Sequence, residues 1–178
     1  MKIIQLLDKK FALSIPSETI QKEVKRVAEQ INKDLEGKNP IFVCVLNGAF
    51  MFASDLLKSI TIPCEVSFVK LSSYSGIMST GTVKEVIGLN EDIQERTIVV
   101  VEDIIDTGLT IEKIIDSLQR FRPTEIRVAS FLLKTEALQV SVPQDYIAIK
   151  IPNEFIVGYG LDYNGYGRNL TDIYTVAD

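Results

Sequence analysis

Apolar residues along the chain form two alternating kinds of pattern, which indicates strands separated by helices. Short apolar runs bounded by polar or turn-forming residues predict strands at Ile41–Leu46, Cys64–Leu71, Val83–Leu89, Thr97–Val101, Ile126–Leu133 and Tyr146–Ile151. β-Branched residues fill Thr97–Val101, so we expect this strand to be central and buried on both faces. We expect Val83–Leu89 to form a strand pair with it, joined by Asn90-Glu91-Asp92.

Helical spacing of apolar residues appears between these strands. The first predicted helix can be capped by Ser17 and ends near Gly37. Its apolar face comprises Ile20, Val24, Val27, Ala28, Ile31 and Leu35. A second helix follows the tight turn Asn47-Gly48-Ala49, and a third carries Ile111, Ile114, Ile115 and Leu118 and ends at Arg122-Pro123. The alternation predicts an α/β fold with a mostly parallel central sheet flanked by helices, in a single domain covering residues 1–178.

Composition excludes several kinds of chemistry. The chain has no histidine, which removes imidazole metal ligands and the commonest general base, so acid–base work falls to carboxylates, Lys or Tyr. A net charge of −5 disfavours a nucleic-acid partner. Cys44 and Cys64 lie in apolar runs, and the sequence shows no signal segment or long apolar span. These features predict a cytoplasmic protein with reduced thiols and no membrane contact.

The candidate functional residues come directly after the central strand in the sequence. Glu102 and Asp103 come where the strand should emerge, and Asp106-Thr107-Gly108-Leu109-Thr110 leads into the next helix. Ligands of open α/β sheets bind beyond the carboxyl ends of strands, and a Gly/Thr-rich turn at a helix start offers backbone N–H groups to an anion. Two structural roles are alternatives to ligand binding. Glu102 and Asp103 could form a solvated turn, and Asp106 or Thr107 could cap the following helix, although capping is compatible with anion binding.

The segment Glu102–Gly108 resembles the diphosphoribosyl-binding motif of type I phosphoribosyltransferases. Further segments resemble the hypoxanthine-guanine branch of that family, namely Leu46-Asn47-Gly48-Ala49, Ser73-Tyr74, Phe131-Leu132-Leu133-Lys134 and Phe155-Ile156-Val157-Gly158-Tyr159-Gly160-Leu161-Asp162-Tyr163-Asn164. The resemblance covers nearly the whole chain. It implies a small hood formed by the terminal segments and a purine-salvage reaction, in which phosphoribosyl diphosphate and hypoxanthine or guanine give IMP or GMP and pyrophosphate.

The resemblance also implies roles for individual residues. Glu102 and Asp103 would hold the ribose hydroxyls, Asp106–Thr110 would surround the 5′-phosphate, and Asp106 would be the general base at purine N7. The implied purine-binding residues are Lys134, Phe155, Ile156 and Asp162. Lys134 can only donate a hydrogen bond, which favours 6-oxo over 6-amino purines. Taken alone, a strand-end Lys is usually a surface cation and a lone Phe usually packs in a core.

A magnesium ion on the diphosphate is implied at Asp162, with Glu102 and Asp103 as further candidate ligands. Asn47, Gly48 and Arg168 would bind pyrophosphate, and the stretch Ser72–Thr82, with the pair Ser73-Tyr74, would form a flexible flap. The chain departs from some relatives in three places. Asn47 and Ser72 stand where those relatives carry basic residues, and Thr135-Glu136-Ala137 lacks a downstream Arg.

Two alternatives remain open beside this hypothesis: a phosphoribosyltransferase for another base, and a nucleic-acid-binding regulator built on the same fold. Lys134 and the Phe155 segment argue against the first, and the negative charge argues against the second. A third option, a generic Mg-dependent phosphatase or nucleotide-binding switch, is disfavoured because the sequence lacks a phosphate-binding loop of the Gly-x-x-x-x-Gly-Lys-Ser/Thr type. Small molecules are the expected partners, and the resemblance suggests a homodimer or homotetramer.

Overall fold

A computed structural model of the chain describes residues 2–73 and 84–177, with the backbone alone at 72–73 and 84–87. Its elements are β1 (Ile3–Leu6), β2 (Lys9–Ile15), α1 (Ser17–Asp34), β3 (Ile41–Leu46), α2 (Phe50–Lys58), β4 (Glu65–Ser73), β5 (Lys84–Ile87), β6 (Thr97–Ile105), α3 (Leu109–Gln119), β7 (Glu125–Lys134), a 3-10 turn (Thr135–Ala137), β8 (Tyr146–Ile151), β9 (Ile156–Val157) and β10 (Ile173–Ala177).

The larger sheet has the order β5-β4-β3-β6-β7-β8, and every pairing is parallel except that of β5 with β4. The predicted α/β class and mostly parallel sheet are therefore confirmed. The expected pairing of Val83–Leu89 with Thr97–Val101 is wrong. β5 runs antiparallel to β4 at the sheet edge, whereas β6, apolar on both faces, lies between β3 and β7.

Helices cover both faces of this sheet. Apolar side chains of α1 and α2 pack with Phe42, Cys44 and Val101 on one face. Ile111, Ile114 and Leu118 of α3 pack with alternate residues of the same strands on the other face. Because successive side chains of a strand point to opposite faces, two cores share one sheet and hold its strand ends in fixed register.

The smaller sheet, here called the hood, has the order β1-β2-β10-β9 and is antiparallel throughout. It joins the first strands of the chain to the last, and Phe11, Val157 and Tyr174 form its buried centre. The hood implied by the resemblance is therefore present and is formed by the terminal segments. Within residues 2–73 and 84–177, none of the helices has the length and apolar character needed to cross a bilayer.

The predicted cap of α1 is wrong, because Ser17 is the first helical residue and the cap position belongs to Pro16. The Ser17 N–H instead donates to Asp172 Oδ1 at 2.8 Å. Asp172 is 8% exposed and also accepts from Lys2 Nζ at 2.8 Å and from Tyr174 Oη at 3.0 Å. A carboxylate from the far end of the chain therefore replaces the local cap and links α1 to the hood.

We expect Asp172→Asn to lower the free energy of unfolding at neutral pH by about 1–3 kcal/mol, because a buried charged acceptor is lost. Hydrogen bonds from Lys2, Ser17 and Tyr174 lower the pKa of Asp172 despite its partial burial. The native pKa lies below the unfolded one, so the stabilisation is present above the unfolded pKa and disappears as pH falls through the native pKa.

Thermal unfolding from pH 7 down to pH 3 measures this effect. The difference between wild type and Asp172→Asn should narrow on acidification, and exposed Asp116→Asn on α3 provides the control. If the difference in stability between wild type and Asp172→Asn stays constant across this range, the charge of Asp172 does not contribute to the pH dependence of stability.

Candidate active site

A cavity of about 440 Å³ opens at the carboxyl edge of the parallel strands, between the sheet and the hood. Its lining comes from the ends of β3, β4, β6 and β7, from the acidic loop after β6 and from the segment around β9. The predicted site residues in its wall are Gly48, Glu102, Asp103, Asp106, Thr110, Lys134, Phe155, Ile156, Asp162 and Arg168. Side chains from distant parts of the sequence thus converge where α/β sheets bind ligands.

Glu102 and Asp103 lie within β6, which continues to Ile105 because its pairing with β7 persists through Ile105↔Leu133. Glu102 is 5% exposed; its Oε1 accepts from the Asp103 N–H at 3.1 Å, whereas its Oε2 has no partner among the described residues. Burial and the charge of Asp103 raise the pKa of Glu102 well above its usual value. This buried oxygen is suited to accept a donor from a ligand.

The loop Asp106–Thr110 lines a second, adjoining cavity of about 230 Å³. Gly108 occupies the cap position of α3 with φ +86°, and a Cβ there would crowd Val140. The Leu109 N–H reaches the Thr107 hydroxyl at 3.4 Å, a long contact, and Leu109 contributes no side chain to the lining. The loop turns abruptly into α3 at Gly108, and Thr107, Gly108 and Thr110 line this second cavity at the start of the helix.

Lys134 ends β7 and is not the surface cation that a strand-end Lys usually is. Its side chain is 10% exposed, and its Nζ lies 3.3 Å from Asp106 Oδ2. The Asp106 side chain is half exposed to the cavity. An ammonium and a carboxylate are therefore placed side by side in the wall, one able to donate to a ligand and the other to accept from it.

Phe155 likewise does not pack as a core residue, since it is 49% exposed. One edge of its ring meets Tyr163 at a centroid distance of 5.8 Å and an interplanar angle of 84°, and Phe11 supports it at 6.3 Å. The Tyr163 hydroxyl donates to Asp8 Oδ1 at 2.9 Å. The hood thus presents a braced aromatic ring beside buried Ile156, an arrangement that suits stacking against a planar base.

Asp162 and Arg168 form an ion pair at 2.6 Å in the same wall. Asp162 Oδ2 also accepts from the Gly165 N–H at 2.6 Å, and Arg168 Nη1 donates to the Gly160 carbonyl at 2.7 Å. Among residues 2–73 and 84–177, no three acidic or cysteine side chains approach closely enough to hold a metal ion. A cation in this cavity would need ligand or water oxygens to complete its coordination.

Two glycines allow the loop after β3 to fit between the sheet and the hood. A Cβ on Gly48 would overlap the Asp103 carboxylate, and a Cβ on Gly160 would overlap the Gly48 carbonyl. Asn47 follows a cis peptide bond after Leu46, and its exposed side chain is not part of the cavity lining. Only the backbone of this loop is placed to meet a ligand.

Lys70 lines the cavity and was not singled out from the sequence. It lies in the second half of β4, where Leu46 at the carboxyl end of β3 is its partner in register. Nothing in the sequence distinguishes Lys70 within the predicted strand Cys64–Leu71, and only its register beside Leu46 places it in the wall. The flap prediction falls on Ser73, whose backbone ends β4, and on Tyr74, which lies outside the described residues.

Residues 16–164 match the family model of the phosphoribosyl transferase domain. Over 176 residues the chain is 38% identical to a hypoxanthine-guanine phosphoribosyltransferase of Aquifex aeolicus, covering 98% of this chain and 99% of that protein. It resembles the crystal structure of a Bacillus anthracis hypoxanthine-guanine phosphoribosyltransferase with HEPES in the active site, with TM-score 0.83, 34% identity and coverage of 94% and 97%.

A third similarity is to a Trypanosoma cruzi hypoxanthine phosphoribosyl transferase, whose structure accompanies work on its C-terminal region, oligomeric state and enzymatic activity. The TM-score is 0.84 at 28% identity, and the match covers 98% of this chain and 95% of that one. The likeness therefore extends through the hood as well as the central sheet.

We expect Glu102→Gln to stabilise the free protein against heat at alkaline pH. Because the native pKa of Glu102 is raised, wild type keeps its full stability below the unfolded pKa and loses stability as pH rises through the native pKa. The amide in Glu102→Gln is neutral at every pH and removes this loss. A difference of about 1 kcal/mol in the free energy of unfolding corresponds to roughly 2–4 °C in melting temperature for a chain of this size.

Melting temperatures of both proteins between pH 5 and pH 9 measure the difference, without ligand or divalent metal present. The gap should widen with pH, and exposed Glu18→Gln on α1 is the control. Parallel pH profiles for wild type and Glu102→Gln would contradict the raised pKa.

Proposed function

The chain belongs to the phosphoribosyl transferase family, and we propose that it acts in purine salvage. As a pentosyltransferase, it moves the 5-phosphoribosyl group from phosphoribosyl diphosphate to N9 of hypoxanthine or guanine. The bond from C1′ to the diphosphate oxygen breaks, the bond from C1′ to N9 forms, and the purine N7 proton leaves. The products are IMP or GMP and pyrophosphate.

The observation that carries this proposal is the combination of groups around a single cavity. Acceptors for sugar hydroxyls at Glu102 and Asp103 share it with the base-facing pair Lys134 and Phe155. The adjoining space at Thr107 and Gly108 lies at the start of α3, where a helix favours an anion such as a phosphate. A ribose 5-phosphate and a purine, side by side, match this arrangement of charge and apolar surface.

Each end of the substrate has its own binding groups. Glu102 and Asp103 accept from the ribose hydroxyls, and the Asp106–Thr110 loop with the start of α3 opposes the 5′-phosphate charge. The purine stacks on Phe155, its edge meets the Ile156 backbone, and Lys134 donates to its O6. The half-exposed Asp106 beside Lys134 receives the N7 proton as the base attacks C1′.

The leaving group lies toward Arg168, Lys70 and Gly48, which line the cavity, and toward the adjoining backbone of Asn47. The buried, unpartnered oxygen of Glu102 and the carboxylates of Asp103 and Asp162 would hold a hard cation such as Mg²⁺ only together with ligand or water oxygens, because these side chains do not converge on one point. When bound there, Mg²⁺ supplies positive charge against the diphosphate. Arg168 is held by Asp162 at 2.6 Å in the same wall, from which its guanidinium can donate to the diphosphate.

We also propose that residues 1–178 act as one domain in the cytoplasm, on small molecules and without a nucleic-acid partner. A homodimer or homotetramer is the proposed assembly. A single family model over residues 16–164 supports one domain, and the proposed assembly follows from the resemblance described above.

Purified protein with phosphoribosyl diphosphate, magnesium chloride and hypoxanthine should yield IMP. Comparison of kcat/KM for hypoxanthine, guanine, xanthine and adenine tests base choice. Because Lys134 offers only donors, adenine should be disfavoured by about 100-fold or more. If no base gives a nucleotide, the proposal fails. A kcat/KM for adenine equal to that for hypoxanthine would contradict the role of Lys134 in base choice. A gel-shift assay with RNA and DNA tests the regulator alternative.

Asp106→Asn should lower kcat for IMP formation by about 10²- to 10⁴-fold, because the amide cannot take up the N7 proton. Phosphoribosyl diphosphate should still bind, since the loop backbone and α3 are unchanged. Stopped-flow turnover and calorimetric binding measure the two effects, with Asp116→Asn as a carboxylate control on α3. Equal losses of turnover and binding would assign Asp106 a purely structural role.

A further inference from the structure

Tyr159 is a buried residue that has no part in the proposed chemistry. It lies just after β9, in the segment 158–170 that follows this hood strand and is here called the hood segment. It is 1% exposed, and its hydroxyl donates to Asp55 Oδ2 on α2 at 2.7 Å. Its ring packs on Phe131 of β7 with a centroid distance of 4.7 Å. The residue therefore connects the hood segment to both the central sheet and a helix beneath it.

The backbone at Tyr159 has φ +44°, in the left-handed region that non-glycine residues seldom occupy. Its N–H donates to the Leu170 carbonyl at 2.8 Å. A residue held in this conformation needs surrounding contacts that favour it. The buried hydroxyl bond and the ring packing supply such contacts, so the side chain and the local turn stabilise each other.

The next residue shows what this turn positions. Gly160 packs so closely on the Gly48 carbonyl that no Cβ fits between them. Its own carbonyl accepts from Arg168 Nη1 at 2.7 Å, and its N–H donates to the Arg168 carbonyl at 2.9 Å. Gly160 thus contacts both groups assigned to pyrophosphate, the Gly48 loop and Arg168.

Asp55 is suited to hold the tyrosine. Its side chain is 20% exposed and also accepts from Gln21 Nε2 at 2.7 Å and Lys58 Nζ at 3.1 Å. Partial burial opposes its charge, but donors from Gln21, Tyr159 and Lys58 lower the pKa of Asp55 below its usual value. Burial and the adjacent carboxylate raise the pKa of Tyr159, so its hydroxyl remains the donor.

We propose that Tyr159 and Asp55 are positioning residues that hold Gly160 against the Gly48 loop and thereby fix the site of the diphosphate group. This inference rests on the proposed function for the identity of the ligand. It assigns a role in substrate binding to a contact that lies below the cavity and touches no substrate. A tyrosine that served only to fill the core would affect stability without favouring one substrate over the other.

Tyr159→Phe keeps the ring and removes the hydroxyl, and Tyr174→Phe is its matched control. Tyr174 is also buried, and its hydroxyl donates to a carboxylate, Asp172, elsewhere in the hood. We expect Tyr159→Phe to raise the Kd and KM for phosphoribosyl diphosphate about tenfold, through loss of a charge-assisted hydrogen bond, and the KM for hypoxanthine by less than about twofold. Tyr174→Phe should change stability only.

Asp55 provides a second, independent variant pair. The amide oxygen in Asp55→Asn still accepts from the phenol, so affinity for phosphoribosyl diphosphate should remain close to that of wild type. Asp55→Leu offers no acceptor and should behave as Tyr159→Phe does. Calorimetric titration of phosphoribosyl diphosphate with magnesium chloride gives these affinities without requiring turnover, and melting temperatures show whether each variant is folded.

The outcomes separate the inference from the proposed function. If wild type binds phosphoribosyl diphosphate but makes no nucleotide, the proposed reaction is overturned. The affinities of Tyr159→Phe and Tyr174→Phe still test the positioning role in that case. Unchanged diphosphate affinity in folded Tyr159→Phe, or equal weakening in Tyr174→Phe, would overturn the positioning role. Wild type that binds no phosphoribosyl diphosphate would overturn both.

Discussion

Close backbone packing at Gly48 is the constraint on which the rest of the site depends. One side of this loop touches the Asp103 carboxylate, and the other carries the carbonyl against which Gly160 rests. Neither position accommodates a Cβ, so the strand ends and the hood meet at the distance of backbone contact. The cavity is small and walled on several sides because these segments approach so closely.

The charges around the cavity are arranged in pairs that a ligand can rearrange. Lys134 faces Asp106, and Arg168 faces Asp162, whereas Glu102 is buried beside the like charge of Asp103. Pairing limits the cost of holding charged groups in a partly buried wall. A ligand that carries both anionic and hydrogen-bond-donating groups can take over these partners, so the paired charges are available for binding.

Much of the fold follows from patterns within single segments. The β-branched run before Glu102 identifies the central strand, and helical spacing identifies α1 and α3. The pairing of the hood strands is not available from such patterns, because β2 and β10 lie at opposite ends of the sequence and only the resemblance indicated a hood. The same limit explains the cap of α1, whose acceptor is Asp172, and the misplaced partner of β5.

The candidate site divides in the same way. The acidic segment was recognisable because its residues are contiguous, and Lys134 and Phe155 depended on family resemblance. Lys70 and the Tyr159–Asp55 contact became visible only from the spatial neighbours of otherwise ordinary strand and helix positions.

The topology of the hood also bears on how the protein matures during translation. β10 lies between β2 and β9, so the hood cannot close until residues 173–177 have left the ribosome. The strands β3, β4, β6, β7 and β8 emerge earlier and pair with one another without it. In the nascent chain the central sheet and the loop Asp106–Thr110 can therefore form before the hood, which is the last part of the cavity wall to be completed.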